Sequence, residues 1–463
     1  MSGSRRSLSY YHRPELCGPL SEVDRSSCEV DRNYAKLSEG AGPVMESSRT
    51  QVAVIGAGPA GLALANLLRR QGIGCVVLEA QSRAVIERTP RAGFLEEWAA
   101  RALDRHGLAG RPLTDAPRHS AVEFRFDGAR QLFPYTELTG HHHIAYPQQI
   151  LVTDLVTRYV DAGGDARFEV RDVELHDTGT DHPSVTWTDP ADGTARRLDC
   201  DFVAGCDGAR GVSRQRLTTA GARVARHDYG VGWLTLLAET PPSEDRVILG
   251  IHPRGFAAHM PRGVDVTRFY LQCRKGDTAS DWSDERAWAE LHARLDVPGG
   301  VLREGRLIEK RVLDMHNYMV EPMALGRLHL AGDAAHMIAP IGAKGMNLAL
   351  YDALHLARAY GAHYRDGDDG PLATYSDTCL AQAWEYQEFS QWLSEVYHGQ
   401  TRGEGDELGG TPGPSGPAGM GGTGVTADRF RAQNATARLR RLFSSRTAAT
   451  AFAELYTGRY TNA

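Results

Sequence analysis

The period of the apolar positions changes several times along the chain, and each change marks an element. Residues 51–55 form a short apolar run of strand length. After a glycine-rich stretch, Leu62, Leu64, Leu67 and Leu68 recur at helical spacing until Gly72 ends the pattern. A second apolar run, 75–78, stops at Glu79. Strand, helix and strand in that order predict a βαβ unit. A helix is predicted at 151–162, and strands at 168–175, 184–187 and 202–204. Between 228 and 275 the runs 230–238, 247–251 and 268–273 alternate with turns and predict an antiparallel sheet separate from the βαβ part. A strand at 328–331 runs into Gly332-Asp333, and helices are predicted at 345–360 and 372–397.

The two polar stretches read differently. Residues 1–48 show no sustained period and are expected to be a disordered extension. Residues 399–426 contain Gly-Gly-Thr-Pro-Gly-Pro-Ser-Gly-Pro and are expected to be a flexible insert, before a helical segment over 427–463.

Composition then removes whole classes of function. The net charge of -6 gives nucleic-acid binding no electrostatic support. No apolar run reaches the length of a membrane span, and Arg5 and Arg6 are followed by polar residues, not a leader's apolar core. A cytoplasmic protein without nucleic-acid or membrane partners is expected. The 7 cysteines include no C-x-x-C pair and read as reduced thiols, not as a disulfide or zinc framework. His141-His142-His143 has no second ligand cluster, so it reads as an exposed loop and no metal site is expected.

The chemistry begins at the first helix. Gly56, Gly58 and Gly61 form G-x-G-x-x-G between a strand and a helix. Gly56 permits the tight turn, and Gly58 lets the backbone approach a pyrophosphate that the helix N-terminus stabilises. Glu79, ending the next strand, is placed to accept hydrogen bonds from a ribose. These features predict dinucleotide binding without choosing between NAD and FAD. Two further motifs choose: Ala204-Gly205-Cys206-Asp207-Gly208, and Leu330-Ala331-Gly332-Asp333-Ala334-Ala335-His336.

In this order and spacing the three fingerprints resemble the single-component flavin aromatic hydroxylases. The likeness narrows to the 4-hydroxybenzoate 3-monooxygenase family through Arg91-Ala92-Gly93-Phe94-Leu95-Glu96, His252-Pro253-Arg254-Gly255-Phe256-Ala257, Asp281-Trp282-Ser283-Asp284-Glu285-Arg286, Val320-Glu321-Pro322-Met323 and Gly342-Ala343-Lys344-Gly345-Met346-Asn347. It runs from about residue 50 to the C-terminus, interrupted by the insert. The fold it implies is α/β: a Rossmann-type FAD-binding domain (49–222 and 321–398) with an inserted antiparallel-sheet substrate domain (223–320) and a helical C-terminal part. The activity it implies is hydroxylation of an aromatic carboxylate, with NADPH or NADH as electron donor and O2, through a flavin C4a-hydroperoxide. Asp333 would hold the ribityl chain, and Asp207 would serve both FAD and the nicotinamide cofactor. Met346 and Asn347 would sit at a helix end facing the flavin, with Gln148 and Arg91 as further FAD contacts. Arg262 would clamp the substrate carboxylate with help from Tyr270, a task that suits the guanidinium fork. His119, Pro340 and Tyr456 fall on the family's proton-relay region, and Gln81, Arg210 and His316 on positions that touch NAD(P)H.

Two departures alter what the resemblance implies. Leu249 stands where the family has the tyrosine that bonds the substrate phenol, and Met260 where it has a serine contacting the carboxylate. A leucine neither donates nor accepts a hydrogen bond, so the ring must be activated in another way. An amino substituent enriches its ortho carbons without loss of a proton. The expected reaction is therefore 3-amino-4-hydroxybenzoate to 3-amino-2,4-dihydroxybenzoate, a unit of antibiotic biosynthesis in related hydroxylases. The alternatives are 3-hydroxylation of 4-hydroxybenzoate, N-hydroxylation of an aminobenzoate, and a flavin-binding carrier or regulator without turnover. After Glu79 the family often has an arginine reading the NADPH 2′-phosphate; here Ala80 and Gln81 follow, so NADH is admitted equally. A homodimer remains an open option.

Overall fold

The computed structural model describes residues 46–89, 93–109, 116–399 and 423–458. A six-stranded sheet runs in the order Ala324–Leu325, Leu328–Leu330, Phe202–Gly205, Val52–Ile55, Cys75–Leu78 and Asp165–Arg167, parallel except at the first pairing. Its central strands are apolar throughout because both faces are covered. The helix Pro59–Arg70 packs between this sheet and the helix Gly345–Asp366, burying Leu62, Leu64, Leu67 and Leu68 completely or nearly so. This is the expected dinucleotide-type unit.

The second large sheet has eight strands: His336–Met337, Arg306–Glu321, Arg223–Glu239, Val266–Arg274, Ala257–Pro261, Val247–Gly250, Val122–Phe126 and Ala129–Phe133. It is antiparallel except where Val247–Gly250 pairs with Val122–Phe126. One face carries Ile248, Phe269 and Leu271 and is covered by Trp288 and Leu291 of the helix Asp284–Leu295. The opposite face carries Trp233, Leu249, Ala258 and Tyr270 and meets the helix Gly370–His398 and the C-terminal helix Arg446–Thr457.

Several boundaries differ from the sequence pattern, each for a local reason. The last two strands of the large sheet come from before residue 223 and carry Glu123 and Arg125, both buried, whose charges hide the strand period. Those charges pair at 2.7 Å, and Arg130 closes on the same carboxylate at 2.8 Å. The run 168–175 is not one strand: Glu169 takes a positive φ of 61°, separating Asp165–Arg167 from Arg171–His176 in another sheet. Residues 46–48, expected within the disordered extension, belong to the strand Glu46–Arg49, which runs parallel to Ala195–Asp199 and is tied by Ser47 Oγ donating to Asp199 at 3.0 Å. The helix Thr423–Ser444 begins inside the expected insert, and Ser445 caps a second helix, Arg446–Thr457. The rest of the expected extension and insert lies outside the described residues. Cys75, Cys200, Cys206, Cys273 and Cys379 are buried free thiols, and no described helix is long and apolar enough to cross a membrane.

Candidate active site

The glycine loop has the shape a dinucleotide requires. Gly56 has φ +105°, and a Cβ there would collide with the Cys206 carbonyl. A Cβ on Gly61 would collide with the Gly56 carbonyl, so this glycine permits close helix–strand packing. Gly58 differs: a Cβ there meets nothing within 4 Å, at the N-cap of the helix Pro59–Arg70. The open side of that residue, beside free helix N–H groups, is where a pyrophosphate fits. Glu79 braces the loop, accepting from Ala57 N at 2.7 Å and Gln81 N at 2.8 Å. Asp207 accepts from Ser213 N at 2.9 Å, while its buried Oδ1 has no partner among the described residues. Burial holds this carboxyl above the usual carboxylate range. Asp333 lies half-buried in the short turn Gly332–Ala334, whose Gly332 N donates to Asp352 at 2.7 Å. The cradle, the unpartnered acceptor and the Gly-Asp turn sit at the C-terminal ends of parallel strands, and together they fit FAD.

Beside this cradle lies a buried polar centre that the sequence pattern did not disclose. Lys344 and Glu96, both fully buried, pair at 2.5 Å. Glu96 also accepts from the hydroxyl of Tyr386 at 2.6 Å and from the indole of Trp98. Lys344 donates to the Tyr456 carbonyl at 2.9 Å, and burial holds its ammonium below the usual lysine range despite the Glu96 charge. Asn347 Oδ1 accepts from Glu96 N at 2.9 Å, and its Nδ2 donates to Ala343 O at 2.9 Å. Asn347 thus fastens the Phe94–Glu96 strand to the helix start at Gly345, next to buried Met346. Glu96 and Lys344 stand in quoted motifs, but only the fold brings them together.

The expected substrate residues gather on one side of the large sheet. Leu249 pairs in register with Ala258, and Ala258 with Tyr270, so the three share a face. Met260 lies two residues on, and Arg262 just past the strand end, its N–H donating to Val266 O at 3.0 Å. The Arg262 guanidinium rests against Gly93, where any Cβ would collide with it. His119 lies near it: burial first, and then the Arg262 charge, hold its imidazole below the ordinary range. Phe94 meets His119 edge-on at 4.8 Å. Tyr456 packs on His143 at 5.0 Å and on Tyr135 at 5.2 Å. Pro340 is exposed at the apex of a tight turn, Ile341 N to Ala339 O at 2.7 Å. That turn is held by Asn317 Oδ1, which accepts from Ala339 N at 2.7 Å.

His143 corrects the expectation of an exposed histidine loop. It is 5% exposed, and its Nε2 is 3.0 Å from the Tyr456 carbonyl, so it packs inside the site. The reason is its place on the strand His143–Ala145, which pairs with Phe94–Glu96. No group of three or more His, Cys, Asp or Glu suited to a metal ion occurs among the described residues. Gln148 is half-buried at the start of the helix Gln148–Asp161. Gln81 and Arg210 are exposed, and His316 is half-buried opposite Asp228, so these three stand on separate elements and are not brought into contact. Arg91 lies outside the described residues.

Residues 49–390 match the protein family described as FAD binding domain. The chain is 36% identical over 356 residues to p-hydroxybenzoate hydroxylase of Acinetobacter baylyi, covering 76% of this chain and 87% of that protein. It is 28% identical over 323 residues to a 3-(3-hydroxy-phenyl)propionate/3-hydroxycinnamic acid hydroxylase of a Mycobacterium species, covering 67% of this chain and only 54% of that longer protein. Among solved structures, p-nitrophenol 4-monooxygenase of Pseudomonas putida aligns with a TM-score of 0.70 at 21% identity, over 90% of this chain and 100% of that one, a likeness of fold.

Proposed function

This chain belongs to the FAD binding domain family, among its NAD(P)H-dependent aromatic hydroxylases, and from that premise we propose that its substrate is a benzoate bearing its own electron-donating amine, 3-amino-4-hydroxybenzoate, hydroxylated at C2. The observation that carries this reading is Leu249, 6% exposed, on the sheet face shared with Ala258 and Tyr270. A side chain without a hydrogen-bonding atom there cannot assist removal of a phenol proton. An amino lone pair makes that assistance unnecessary.

FAD, which the Gly56–Gly61 loop would hold, would supply the activation of O2 once reduced by NAD(P)H. The chain's own residues bind, orient and shield. Arg262 offers the substrate carboxylate its planar fork, from a position fixed by the Gly93 backbone. Tyr270, Leu249 and Met260 form the wall along the ring. Phe94, Tyr135 and Tyr456 form the packed side that keeps water from the reacting carbon. His119, Pro340 and Tyr456 line the path by which a proton leaves. Glu96 and Lys344 position Tyr456 through its carbonyl.

Arg262→Ala should weaken binding of the carboxylate by about 2–5 kcal/mol, the usual loss when one partner of a buried charge pair is removed. Its FAD content should stay that of the parent. Unchanged substrate affinity in a titration of the flavin spectrum would place the carboxylate elsewhere.

The 36% identity to p-hydroxybenzoate hydroxylase favours a second reading, 3-hydroxylation of 4-hydroxybenzoate. A panel of substituted benzoates, scored for coupled NAD(P)H oxidation and product, separates the two. Preferred turnover of 3-amino-4-hydroxybenzoate is expected, with Leu249→Tyr shifting preference toward 4-hydroxybenzoate. Efficient coupled formation of 3,4-dihydroxybenzoate, with no turnover of the amino compound, would reject the amine reading.

A further inference from the structure

Asparagine is depleted in strands, and a buried one needs partners for both ends of its amide. Asn317 lies near the end of the strand Arg306–Glu321 and is 5% exposed. Its Oδ1 accepts from Ala339 N at 2.7 Å. Its Nδ2 donates to the Tyr229 hydroxyl at 2.8 Å and to Gln387 Oε1 at 2.5 Å. Gln387, on the helix Gly370–His398, donates in turn from Nε2 to Met337 O at 3.1 Å. Side chains from the strands Arg223–Glu239 and Arg306–Glu321 and from this helix thus converge on the backbone at 337–339.

The sheet register explains the arrangement. Backbone pairing between Arg306–Glu321 and His336–Met337 stops where Tyr318 faces Met337. Beyond that point the chain leaves the sheet and turns at Ala339–Pro340–Ile341, and the Asn317 side chain supplies the hydrogen bond that the ladder no longer makes. The turn stands at the substrate wall: Ala339 and Ile341 are buried in the apolar cluster that holds Leu249, Tyr270 and Tyr456. Pro340, between them, is exposed. A proline has one hydrogen-bonding atom, its carbonyl oxygen, so the direction of that carbonyl is all the turn can offer to a proton. Without Asn317 the Ala339 N–H would be buried and unpaired, and the turn would shift to satisfy it.

We propose that Asn317 is a positioning residue for the hydroxylation: its bond to Ala339 N fixes the turn, and with it the Pro340 carbonyl, at the substrate wall. The inference rests on the reading above that Pro340 lines the path of the departing proton. It does not depend on which benzoate is the substrate. Hydroxylation forms a C–O bond at a ring carbon, with oxygen from O2 and electrons from NAD(P)H, and breaks that carbon's bond to hydrogen. The hydrogen leaves as a proton and the ring keeps the bonding pair, so both candidate rings need the path.

The test reads kcat and KM separately in the FAD-loaded parent and three variants, with 3-amino-4-hydroxybenzoate and with 4-hydroxybenzoate. Asn317→Ala should lower kcat about tenfold, the value of one hydrogen bond. Its KM, its FAD content and the substrate dissociation constant from the flavin absorbance change should stay within about twofold of the parent on the same scale. Asn317→Asp should recover most of kcat, because a carboxyl oxygen still accepts from Ala339 N. Tyr229→Phe should keep the parent's kcat, because Asn317 retains its bonds to Ala339 and Gln387. Where Asn317→Ala does not load FAD, Asn317→Ser takes its place, since a water beside the short hydroxyl can satisfy the buried groups without fixing the turn. Parental kcat in Asn317→Ala would overturn the role of Asn317. So would Asn317→Asp no better than Asn317→Ala, or a fall in kcat accompanied by equal losses in FAD content and substrate affinity, which mark a role in the fold alone. In each of these cases the parent still turns over a benzoate, and that reading stands. Failure of the parent to turn over either compound would overturn the benzoate reading and this inference with it.

Discussion

Gly58→Val should purify as a folded protein that has lost its yellow colour. The backbone at Gly58 has φ -79° and ψ -177°, open to any residue. A Cβ there touches no protein atom within 4 Å. The cost to the fold is then only a poorer helix cap, about 1 kcal/mol or less. The ligand bears the whole effect, because a branched side chain fills the space through which the pyrophosphate reaches the helix N–H groups. Bound FAD also stabilises the fold by mass action. The proper reference for the variant's melting temperature is therefore parent protein stripped of FAD, and the two should coincide. Gly61→Val is the contrasting control: its side chain would strike the Gly56 carbonyl, and misfolding is expected. A Gly58→Val protein retaining one FAD per chain would remove this loop from the pyrophosphate site.

What the sequence disclosed, and what it withheld, follows from the range of each interaction. The βαβ unit was legible because its signals are local: an apolar run at 52–55, leucines at helical spacing, and glycines where the turn needs them. The sheet strands around Leu249 and Tyr270 were legible in the same way. The strand Val122–Phe126 was not, because Glu123 and Arg125 occupy buried positions and are neutralised only by each other and by Arg130, a partner the fold supplies. His143 was misread for the related reason that three consecutive histidines look solvated until a strand pairing turns one inward. The Glu96–Lys344 pair spans 248 positions, and no period or spacing announces it.

The protein should lose stability steeply as the pH falls below about 6.5, beyond what its carboxylates alone would cause. Among the described residues, three histidines of 5% exposure or less are held neutral by the fold, and burial pushes the half-buried His398 down to about 3 as well. Burial, then the charges of Lys344 and His119, push His143 down to about 3. Burial pushes His259 down to about 4, and its Nε2 accepts a hydrogen bond from Ser243 N at 3.0 Å, which protonation would break. Burial, and then the Arg327 charge, push His329 down to about 4. Each folded value is depressed, so the unfolded chain takes up protons first. The stabilising contribution is complete above the unfolded value near 6.5 and is lost as the pH falls toward 3–4. Each group contributes a slope of about 1.4 kcal/mol per pH unit, or roughly 2 kcal/mol at pH 5. Three together reach about 6 kcal/mol, comparable to the whole stability of an ordinary domain. His336 works in the opposite sense: burial lowers its value, but the Asp352 carboxylate at 2.8 Å outweighs that and raises it, so its contribution is present in acid and lost as the pH rises. One such group does not offset three. Urea unfolding of the FAD-loaded protein at pH 7 and pH 5 should therefore show a large fall in midpoint. His329→Phe, which keeps an aromatic ring beside Phe202 and Tyr360, should reduce the pH slope by about one proton. A midpoint that stays flat between these two pH values would mean that the three rings accept protons without leaving the fold.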